Sequence, residues 1–265
     1  MSRKETVLIT GASAGIGEEL AKLFADSGRD LVLVARRKSK LQSLAKHLKT
    51  QSNAEHVWVE ACDLSEAGAA TALHAKLQSK GLGIDVLVNC AGVLEHGAFV
   101  EMGEQRLLGM VDLNIRGLTS LTALFLPQML ENGYGRILNV GSIAAFTPVP
   151  SLAAYAATKA YVLSLTEALS EELSGTGVTV TALCPGMTDT SMLSKAQENS
   201  EKLKLPAFAI SDVEDVAKAG FDACLKGEVI AVPGSINLLT TLTTRATPKW
   251  LVRRVFGAVG RKSIS

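Results

Sequence analysis

The sequence predicts a single-domain, doubly wound α/β fold, a Rossmann-type parallel sheet of about seven strands with helices on both faces. Short apolar runs rich in β-branched residues recur along the chain, and helical patterns separate them. The runs are nearly continuous rather than alternating, as expected for strands buried on both faces. The 265 residues, 47% of them hydrophobic, suffice for one large domain with its own core.

Each predicted strand is one of these apolar runs, and each predicted helix lies between or after them. The strands are Val7–Thr10, Leu31–Ala35, His56–Ala61, Ile84–Asn89, Arg136–Val140, Val178–Cys184 and Val229–Val232. The helices are Gly15–Ser27, Ser39–Thr50, Ser65–Ser79, Val111–Leu130, Ser151–Ser174 and Asp212–Leu225. We expect the last helix to begin with a capping box formed by Ser211 and Glu214. The long stretch Met187–Ile210 is expected to be a substrate lid.

The formal net charge of +1 conceals an uneven distribution along the chain. The last acidic residue is Glu228, and the residues after it carry six cations and no acid. The preceding part has 21 cations against 26 acids. This acidic body argues against nucleic-acid binding as the main function. We therefore divide the chain into a catalytic domain, residues 1–232, and a basic C-terminal extension, residues 233–265.

Several classes of protein are excluded by what the sequence lacks. It has no apolar stretch of 18 residues and no apolar signal segment near Met1, so we expect a cytoplasmic protein. The four cysteines are widely spaced and the four histidines lack metal-ligand spacing, which predicts reduced thiols and no metal site.

A glycine-rich turn, Thr10–Gly17, follows the first strand and opens the first helix. Its glycines permit a tight turn and close backbone approach to a pyrophosphate. The helix N-terminus adds free N–H groups and the positive end of a dipole. The strand–turn–helix context favours dinucleotide binding over a plain tight turn.

Arginines at the end of the second strand indicate which dinucleotide is bound. An acid there would bind the ribose 2′-OH of NAD, whereas an arginine accommodates the 2′-phosphate of NADP. The chain has Arg36, Arg37 and Lys38 at this point and no acid. This favours NADP over NAD, the alternative being a solvated helix start.

Three side chains predict proton-transfer chemistry. Tyr155 and Lys159 are four residues apart on a predicted helix and therefore share a face. A neighbouring cation is expected to lower the tyrosine pKa and suit it to acid–base catalysis. Ser142 directly follows the fifth strand, at the edge where an open α/β sheet binds its ligand.

Together these motifs resemble the short-chain dehydrogenase/reductase family over about residues 5–232. Thr10–Gly17 is similar to the family's T-G-x-x-x-G-x-G, and Asn89–Gly92 to its N-N-A-G, with Cys90 replacing the second Asn. The resemblance implies catalytic roles for Asn114, Ser142, Tyr155 and Lys159. It also implies cofactor contacts from Gly11, Ser13, Ala14, Gly15, Ile16, Gly17, Arg36, Arg37, Asp63, Leu64, Asn89, Ala91, Gly92, Tyr155, Lys159, Pro185, Gly186, Thr188 and Thr190.

The mechanism implied by the resemblance is hydride transfer between NADP(H) and a carbonyl or secondary alcohol. Ser142 would stabilise the carbonyl oxygen and Tyr155 would exchange its proton. Lys159 would tune Tyr155 and bind the nicotinamide ribose, and Asn114 would hold a water that links Lys159 to solvent. The expected substrate is apolar, because the residues expected to line its site are mainly apolar. They are Val93, Leu94, Ile143, Ala144, Phe146, Val149 and Leu152, with Met187, Met192, Leu193, Leu203, Leu205 and Phe208 from the lid.

Three functions remain open at this stage. The first is a general carbonyl reductase, and the second is a lipid-pathway ketoreductase for a ketoacyl thioester or steroid-like substrate near a carrier or membrane surface. The third is a non-catalytic cofactor-binding regulator. The Ser–Tyr–Lys set argues against the third.

The C-terminal extension departs from the family pattern. Val232-Pro233-Gly234-Ser235 replaces the family's V-D-G-G-like end, which puts the usual tetramer in question. We expect a homodimer through the helices Val111–Leu130 and Ser151–Ser174.

A helix after Pro248 is expected to be amphipathic. It either docks on its own or a partner subunit, which we favour, or lies on an anionic membrane or near the substrate entrance. Its apolar face would carry Leu251, Val252, Val255, Phe256 and Val259, and its basic face Lys249, Arg253, Arg254 and Arg261.

Overall fold

Seven parallel strands form one sheet in a computed structural model, which describes residues 4–190, 210–248, 250–252 and 254. Each strand lies within its predicted run or extends it by one residue, and the sheet confirms the predicted fold class. The strands are β1 (Thr6–Thr10), β2 (Asp30–Ala35), β3 (Val57–Ala61), β4 (Val86–Asn89), β5 (Gly135–Val140), β6 (Val178–Leu183) and β7 (Ile230–Ala231). Their order is β3-β2-β1-β4-β5-β6-β7. The order reverses between β1 and β4, which opens a crevice at the carboxyl ends of these two strands.

The helices cover both faces of the sheet. They are α1 (Gly15–Asp26), α2 (Lys38–Gln51), α3 (Ala69–Ser79), α4 (Glu104–Val111), α5 (Leu118–Glu131), α6 (Ala153–Glu172), α7 (Val213–Lys226) and α8 (Ser235–Ala246). A π-helical turn, Asp112–Gly117, joins α4 to α5. Side chains of α1, α2 and α7 form one buried cluster, in which Phe24 meets Phe221 edge-on at 4.9 Å. Side chains of α3, α5 and α6 pack against the opposite face.

Three helix starts have features that the sequence did not predict, besides shifts of one or two residues at the starts of α2 and α6. The predicted capping box is wrong, because Asp212 caps α7 by accepting a hydrogen bond from Glu214 N at 2.7 Å. Ser211 instead forms a β-bridge with Thr188. α3 begins at Ala69 rather than Ser65 because Asp63 Oδ1 accepts hydrogen bonds from the backbone and side chain of Ser65, which holds a turn there. The helix predicted from Val111 is preceded by α4, whose start the sequence pattern missed.

The C-terminal extension begins with α8, which packs against a 3₁₀ turn at Ile143–Phe146. A further helical turn begins after Pro248, whose carbonyl accepts hydrogen bonds from Leu251 N and Val252 N. Val252 is buried there and Leu251 is exposed. The positions Lys249, Arg253, Val255, Phe256, Val259 and Arg261 of the predicted amphipathic helix lie outside the described residues. None of the helices in the described part of the chain has the length and apolar character needed to span a membrane.

Candidate active site

The crevice between β1 and β4 is fixed by a threonine. Thr10 Oγ1 donates a hydrogen bond to Val88 O at 3.1 Å and accepts bonds from the N–H groups of Cys90 and Ala91, each at 3.0 Å. This single hydroxyl ties the end of β1 to the chain leaving β4. The two predicted cofactor-binding segments, Thr10–Gly17 and Asn89–Gly92, therefore lie side by side.

The glycine-rich turn is too tight for side chains at two of its positions. A Cβ on Gly17 would lie 2.6 Å from the carbonyl oxygen of Gly11, and Gly11 itself has φ +70° against the backbone of Ala91. No side chain of a described residue caps α1 at Ala14, so the first N–H groups of the helix lack a side-chain acceptor there. Such a helix start suits a pyrophosphate. The predicted cofactor residues Ser13, Ala14, Gly15 and Ile16 all belong to this turn and helix start.

Both predicted arginines lie beside this turn. Arg37 donates hydrogen bonds from Nη2 to Ser13 Oγ at 3.0 Å and to Ser13 O at 3.1 Å. Arg36 is exposed and pairs with Asp63, with 3.7 Å between Nη1 and Oδ2. Burial raises the pKa of Asp63, but hydrogen bonds from Ser65 and the charge of Arg36 outweigh it, so the pKa lies below the usual value. Leu64, the remaining predicted residue of this region, is buried.

Asn89 turns away from the crevice. Its Nδ2 donates hydrogen bonds to Asn139 Oδ1 at 2.9 Å and Thr122 Oγ1 at 3.2 Å, inside the layer of α5 and α6. The structure thus gives the Asn89 side chain a place in the buried core, whereas Ala91 and Gly92 continue along the crevice. A Cβ on Gly92 would lie 3.2 Å from Asn114 Oδ1, which marks close packing at that point.

Asn114 lies in the π-helical turn between α4 and α5 and is buried. Its Oδ1 accepts a hydrogen bond from Val93 N, and its Nδ2 donates to Val93 O, each at 2.9 Å. A further bond runs from Nδ2 to Thr158 Oγ1 at 3.1 Å. π-turns are rare and occur often at functional sites. Asn114 therefore links the loop after β4 to the helix that carries Tyr155 and Lys159.

The other three predicted catalytic residues converge at the end of β5. Ser142 caps the 3₁₀ turn by accepting a hydrogen bond from Ala144 N at 3.1 Å, and its side chain also hydrogen-bonds Tyr155. Tyr155 and Lys159 lie on one face of α6, with Lys159 Nζ 5.8 Å from the centre of the Tyr155 ring. Lys159 Nζ donates to Val140 O at 2.8 Å. All three side chains are at least nine-tenths buried.

Burial controls the ionisation of this group. It raises the pKa of Tyr155 to about 12, although the hydrogen bond from Ser142 acts in the opposite direction. Burial also lowers the pKa of Lys159 to about 8. The expected lowering of the Tyr155 pKa by Lys159 is therefore wrong for this structure, because desolvation of the phenolate dominates. At neutral pH Tyr155 is protonated and Lys159 carries its charge.

The Pro185–Gly186 turn closes the site from the side of β6. Pro185 O accepts a hydrogen bond from Ile143 N at 2.9 Å, and Gly186 O accepts one from Thr188 Oγ1 at 3.2 Å. Thr190 reaches the phosphate turn, since a Cβ on Gly15 would lie 3.1 Å from Thr190 Cγ2. Met187 is described with this segment, whereas Met192 and most of the predicted lid lie outside the described residues.

Apolar side chains form a cluster around Tyr155. Val93, Leu94 and Ala144, all predicted substrate residues, pack in one cluster with Tyr155. Ile143 begins the neighbouring 3₁₀ turn. Phe146 packs instead in an adjacent cluster with Leu163 and Cys184. Sequence reasoning missed the other members of the Tyr155 cluster that come from outside the motifs, which are Met110, Leu107 and Ala154.

Comparisons with known proteins agree with this arrangement. The chain is 34% identical over 211 residues to an uncharacterized oxidoreductase of Staphylococcus epidermidis, covering 79% of this chain and 89% of that protein. A short-chain dehydrogenase from Sphingobium yanoikuyae in complex with NADPH is 34% identical, with a TM-score of 0.81 and coverage of 91% and 93% of the two chains. The bulky-bulky ketone specific alcohol dehydrogenase from Comamonas testosteroni is 31% identical, with a TM-score of 0.78 and coverage of 91% and 92%.

The residues that form the crevice and the catalytic group fall within the span of a family match. The model of the short chain dehydrogenase family matches residues 5–201, most of the chain. The glycine turn, Asn114, Ser142, Tyr155 and Lys159 all lie inside that span. The chain belongs to the short-chain dehydrogenase/reductase family of oxidoreductases.

Proposed function

We propose that this protein is an NADP(H)-dependent oxidoreductase that interconverts an apolar ketone or aldehyde and its alcohol. The observation that carries the proposal is the buried group of Ser142, Tyr155 and Lys159 at the carboxyl end of β5, beside an uncapped helix start. A hydroxyl can stabilise the charge that develops on a carbonyl oxygen during reduction, and a protonated phenol can donate the proton that completes the alcohol.

The cofactor proposal rests on the turn and the arginines beside it. The turn excludes side chains at Gly11 and Gly17, and the start of α1 has no side-chain cap at Ala14, which fits a pyrophosphate. Arg36 and Arg37 offer guanidinium groups for a 2′-phosphate. The NADPH complex of the Sphingobium relative supports the same choice. When bound, NADPH supplies the hydride that the carbonyl carbon accepts.

The chain's own residues then control the substrate oxygen. The Ser142 hydroxyl donates a hydrogen bond to that oxygen as negative charge develops on it. The Tyr155 hydroxyl, kept protonated by its raised pKa of about 12, donates the proton that completes the alcohol. In the reverse direction the oxygen of Tyr155 accepts the proton from the alcohol. Lys159 lies beside Tyr155 on α6, and Asn114 is hydrogen-bonded to Thr158 of the same helix. We assign to these two residues the transfer of a proton from solvent back to Tyr155.

The substrate proposal rests on the apolar cluster around Tyr155. The aliphatic side chains in this cluster include those of Val93, Leu94, Val149 and Leu152. They suit a substrate with apolar groups beside its carbonyl. The name of the Comamonas relative, specific for bulky-bulky ketones, points in the same direction.

A lipid-pathway ketoreductase is the second candidate. One observation favours it: α8 exposes Leu238 and Leu239, and Trp250 is exposed nearby in the chain, within the basic C-terminal extension. Such a surface suits an acidic carrier protein or an anionic membrane that presents a ketoacyl or steroid-like substrate.

One screen tests both candidates. NADPH oxidation is followed with bulky ketones, ketoacyl thioesters and ketosteroids, each against the Tyr155→Phe variant as control. Reduction of bulky ketones that the variant cannot perform supports the first proposal, and exclusive reduction of ketoacyl or steroid substrates supports the second. Cofactor binding without reduction of any substrate would favour a non-catalytic regulator.

We further propose that the protein is a homodimer through α4, α5 and α6. Leu108, Val111 and Tyr161 are exposed on α4 and α6, and apolar residues at such positions gain from a partner surface. Light scattering at several concentrations tests this, and a monomer throughout would contradict it.

A further inference from the structure

Asn237 lies in the first turn of α8, in the C-terminal extension and beyond the span of the family match. Its Nδ2 donates a hydrogen bond to Pro233 O at 2.8 Å, so the side chain folds back over the start of its own helix. Gly234, with φ +87°, leads into that helix. A Cβ on Gly234 would lie 3.2 Å from Asn237 Nδ2. The amide is thus held in one orientation by the chain that precedes it.

The amide held in this way rests on the backbone of Gly186. A Cβ on Gly186 would lie 2.5 Å from Asn237 Nδ2, 2.6 Å from Oδ1 and 2.8 Å from Cγ. These distances are below any real Cβ contact, so the whole amide plane lies against the glycine. Asn237 occupies the space that a side chain at position 186 would need, so only glycine fits there.

The Pro185–Gly186 turn is therefore held from three directions. Ile143 N binds Pro185 O and Thr188 Oγ1 binds Gly186 O, both from within the catalytic domain. Asn237 supplies the third contact from the C-terminal extension. α8 also packs on the 3₁₀ turn Ile143–Phe146, so one short helix contacts both that turn and the Pro185–Gly186 turn.

We propose that Asn237 is a positioning residue, which holds the Pro185–Gly186 turn, one of the segments expected to contact the cofactor; this inference rests on the proposed function. Asn237 touches neither substrate nor cofactor and acts through Gly186. The basic extension then has a role in the reaction that its charge alone does not reveal.

The test compares Asn237→Ala with Gly186→Ala and with the double variant. Dissociation constants for NADPH are measured by fluorescence titration, well below each variant's Tm. We expect each single variant to raise the Kd about tenfold, the scale of one lost polar contact with its packing. The double variant should also lie about tenfold above wild type rather than a hundredfold, because both changes disrupt the same contact.

Two further measurements separate positioning from a general loss of stability. Asn237→Ala should lower kcat at saturating NADPH and leave the KM for the ketone unchanged, whereas Ser235→Ala, an exposed change in the same helical turn, should match wild type. Asn237→Asp keeps the side-chain volume and places an oxygen against Pro233 O. Asn237→Asp should therefore show the same rise in the Kd for NADPH and the same fall in kcat. It replaces Asn237→Ala if that variant does not fold.

Three results would overturn the inference. Asn237→Ala and Asn237→Asp could bind NADPH as wild type does, or the single effects could multiply in the double variant; either result removes the positioning role alone. If the folded wild type binds neither NADPH nor NADH, the proposed function fails and the positioning role fails with it.

Discussion

The Lys159 ammonium donates a hydrogen bond to the carbonyl oxygen of Val140, 2.8 Å away at the end of β5. This bond joins the helix that carries Tyr155 to the strand that leads into Ser142. The proposed general acid, Tyr155, and the proposed donor to the substrate oxygen, Ser142, are therefore held by one shared contact. The cost is a buried cation, and burial lowers the pKa of Lys159 to about 8.

Replacing that cation with an apolar side chain should stabilise the fold. Because the Lys159 pKa falls from 10.5 to about 8 on folding, the charged lysine opposes folding below pH 8, and this penalty fades as the pH rises to about 10.5. We expect Lys159→Met to raise the free energy of unfolding at pH 7 by about 2 kcal/mol, after allowing for the lost bond to Val140. Chemical denaturation at pH 7 and pH 10 measures the difference.

The gain should be clearly smaller at pH 10, and turnover should be lost at both pH values. Lys46→Met, at an exposed position of α2, is the matched control and should change stability little at either pH. A lower stability of Lys159→Met at pH 7 would contradict the cost that we assign to the buried charge.

Removal of the Tyr155 hydroxyl should separate chemistry from cofactor binding. The phenol is protonated at neutral pH, because burial raises its pKa to about 12. Tyr155→Phe keeps the ring in its apolar cluster but removes the donated proton, so we expect kcat to fall by at least ~100-fold. The Kd for NADPH should stay within about threefold of wild type. Steady-state kinetics and fluorescence titration measure the two quantities, and retained turnover would refute the role of Tyr155.

The two arginines should differ in their effect on cofactor choice. Arg36 is exposed and its partner is Asp63, whereas Arg37 holds Ser13 of the phosphate turn. We expect Arg36→Ala to weaken NADPH binding about tenfold and to leave NADH binding unchanged, because only a phosphate contact is lost. Arg37→Ala should weaken the binding of both cofactors, because the turn loses a support.

Titration of each variant with NADPH and NADH measures these effects. Lys38→Ala, the next exposed cation, is the control and should change neither constant by more than about twofold. Equal losses of NADH affinity in Arg36→Ala and Arg37→Ala would show that the Ser13 contact has no separate role.

The fold and most of the site follow from local patterns in the sequence. The seven strands were predictable because parallel strands buried on both faces are continuous apolar runs. The glycine turn and the Tyr155–Lys159 pair were predictable because their chemistry needs fixed spacings along the chain. Four features depend on distant parts of the chain and escape such patterns. They are the π-turn that aims Asn114, the inward direction of Asn89, the burial that raises the Tyr155 pKa, and the contact of Asn237 with Gly186.

Ser151 is a further feature that no spacing reveals, and it allows a test of the loop beside the site. It has φ +67°, the single positive value among the described residues other than glycine. Its carbonyl oxygen accepts a hydrogen bond from Gly97 N at 2.9 Å. This bond fixes the loop after β4 to the start of α6, four residues before Tyr155. A β-branched residue is strained most in this conformation, and glycine adopts it without steric strain.

We therefore expect Ser151→Val to lower the free energy of unfolding by about 2 kcal/mol and Ser151→Gly to change it by less than about 1 kcal/mol. The loop carries Val93 and Leu94, so Ser151→Val should also raise the KM for an apolar ketone, while the Kd for NADPH stays unchanged. Denaturant unfolding and steady-state kinetics on both variants measure these effects. A valine variant as stable as the glycine variant would mean that the left-handed conformation at Ser151 imposes no constraint on the loop.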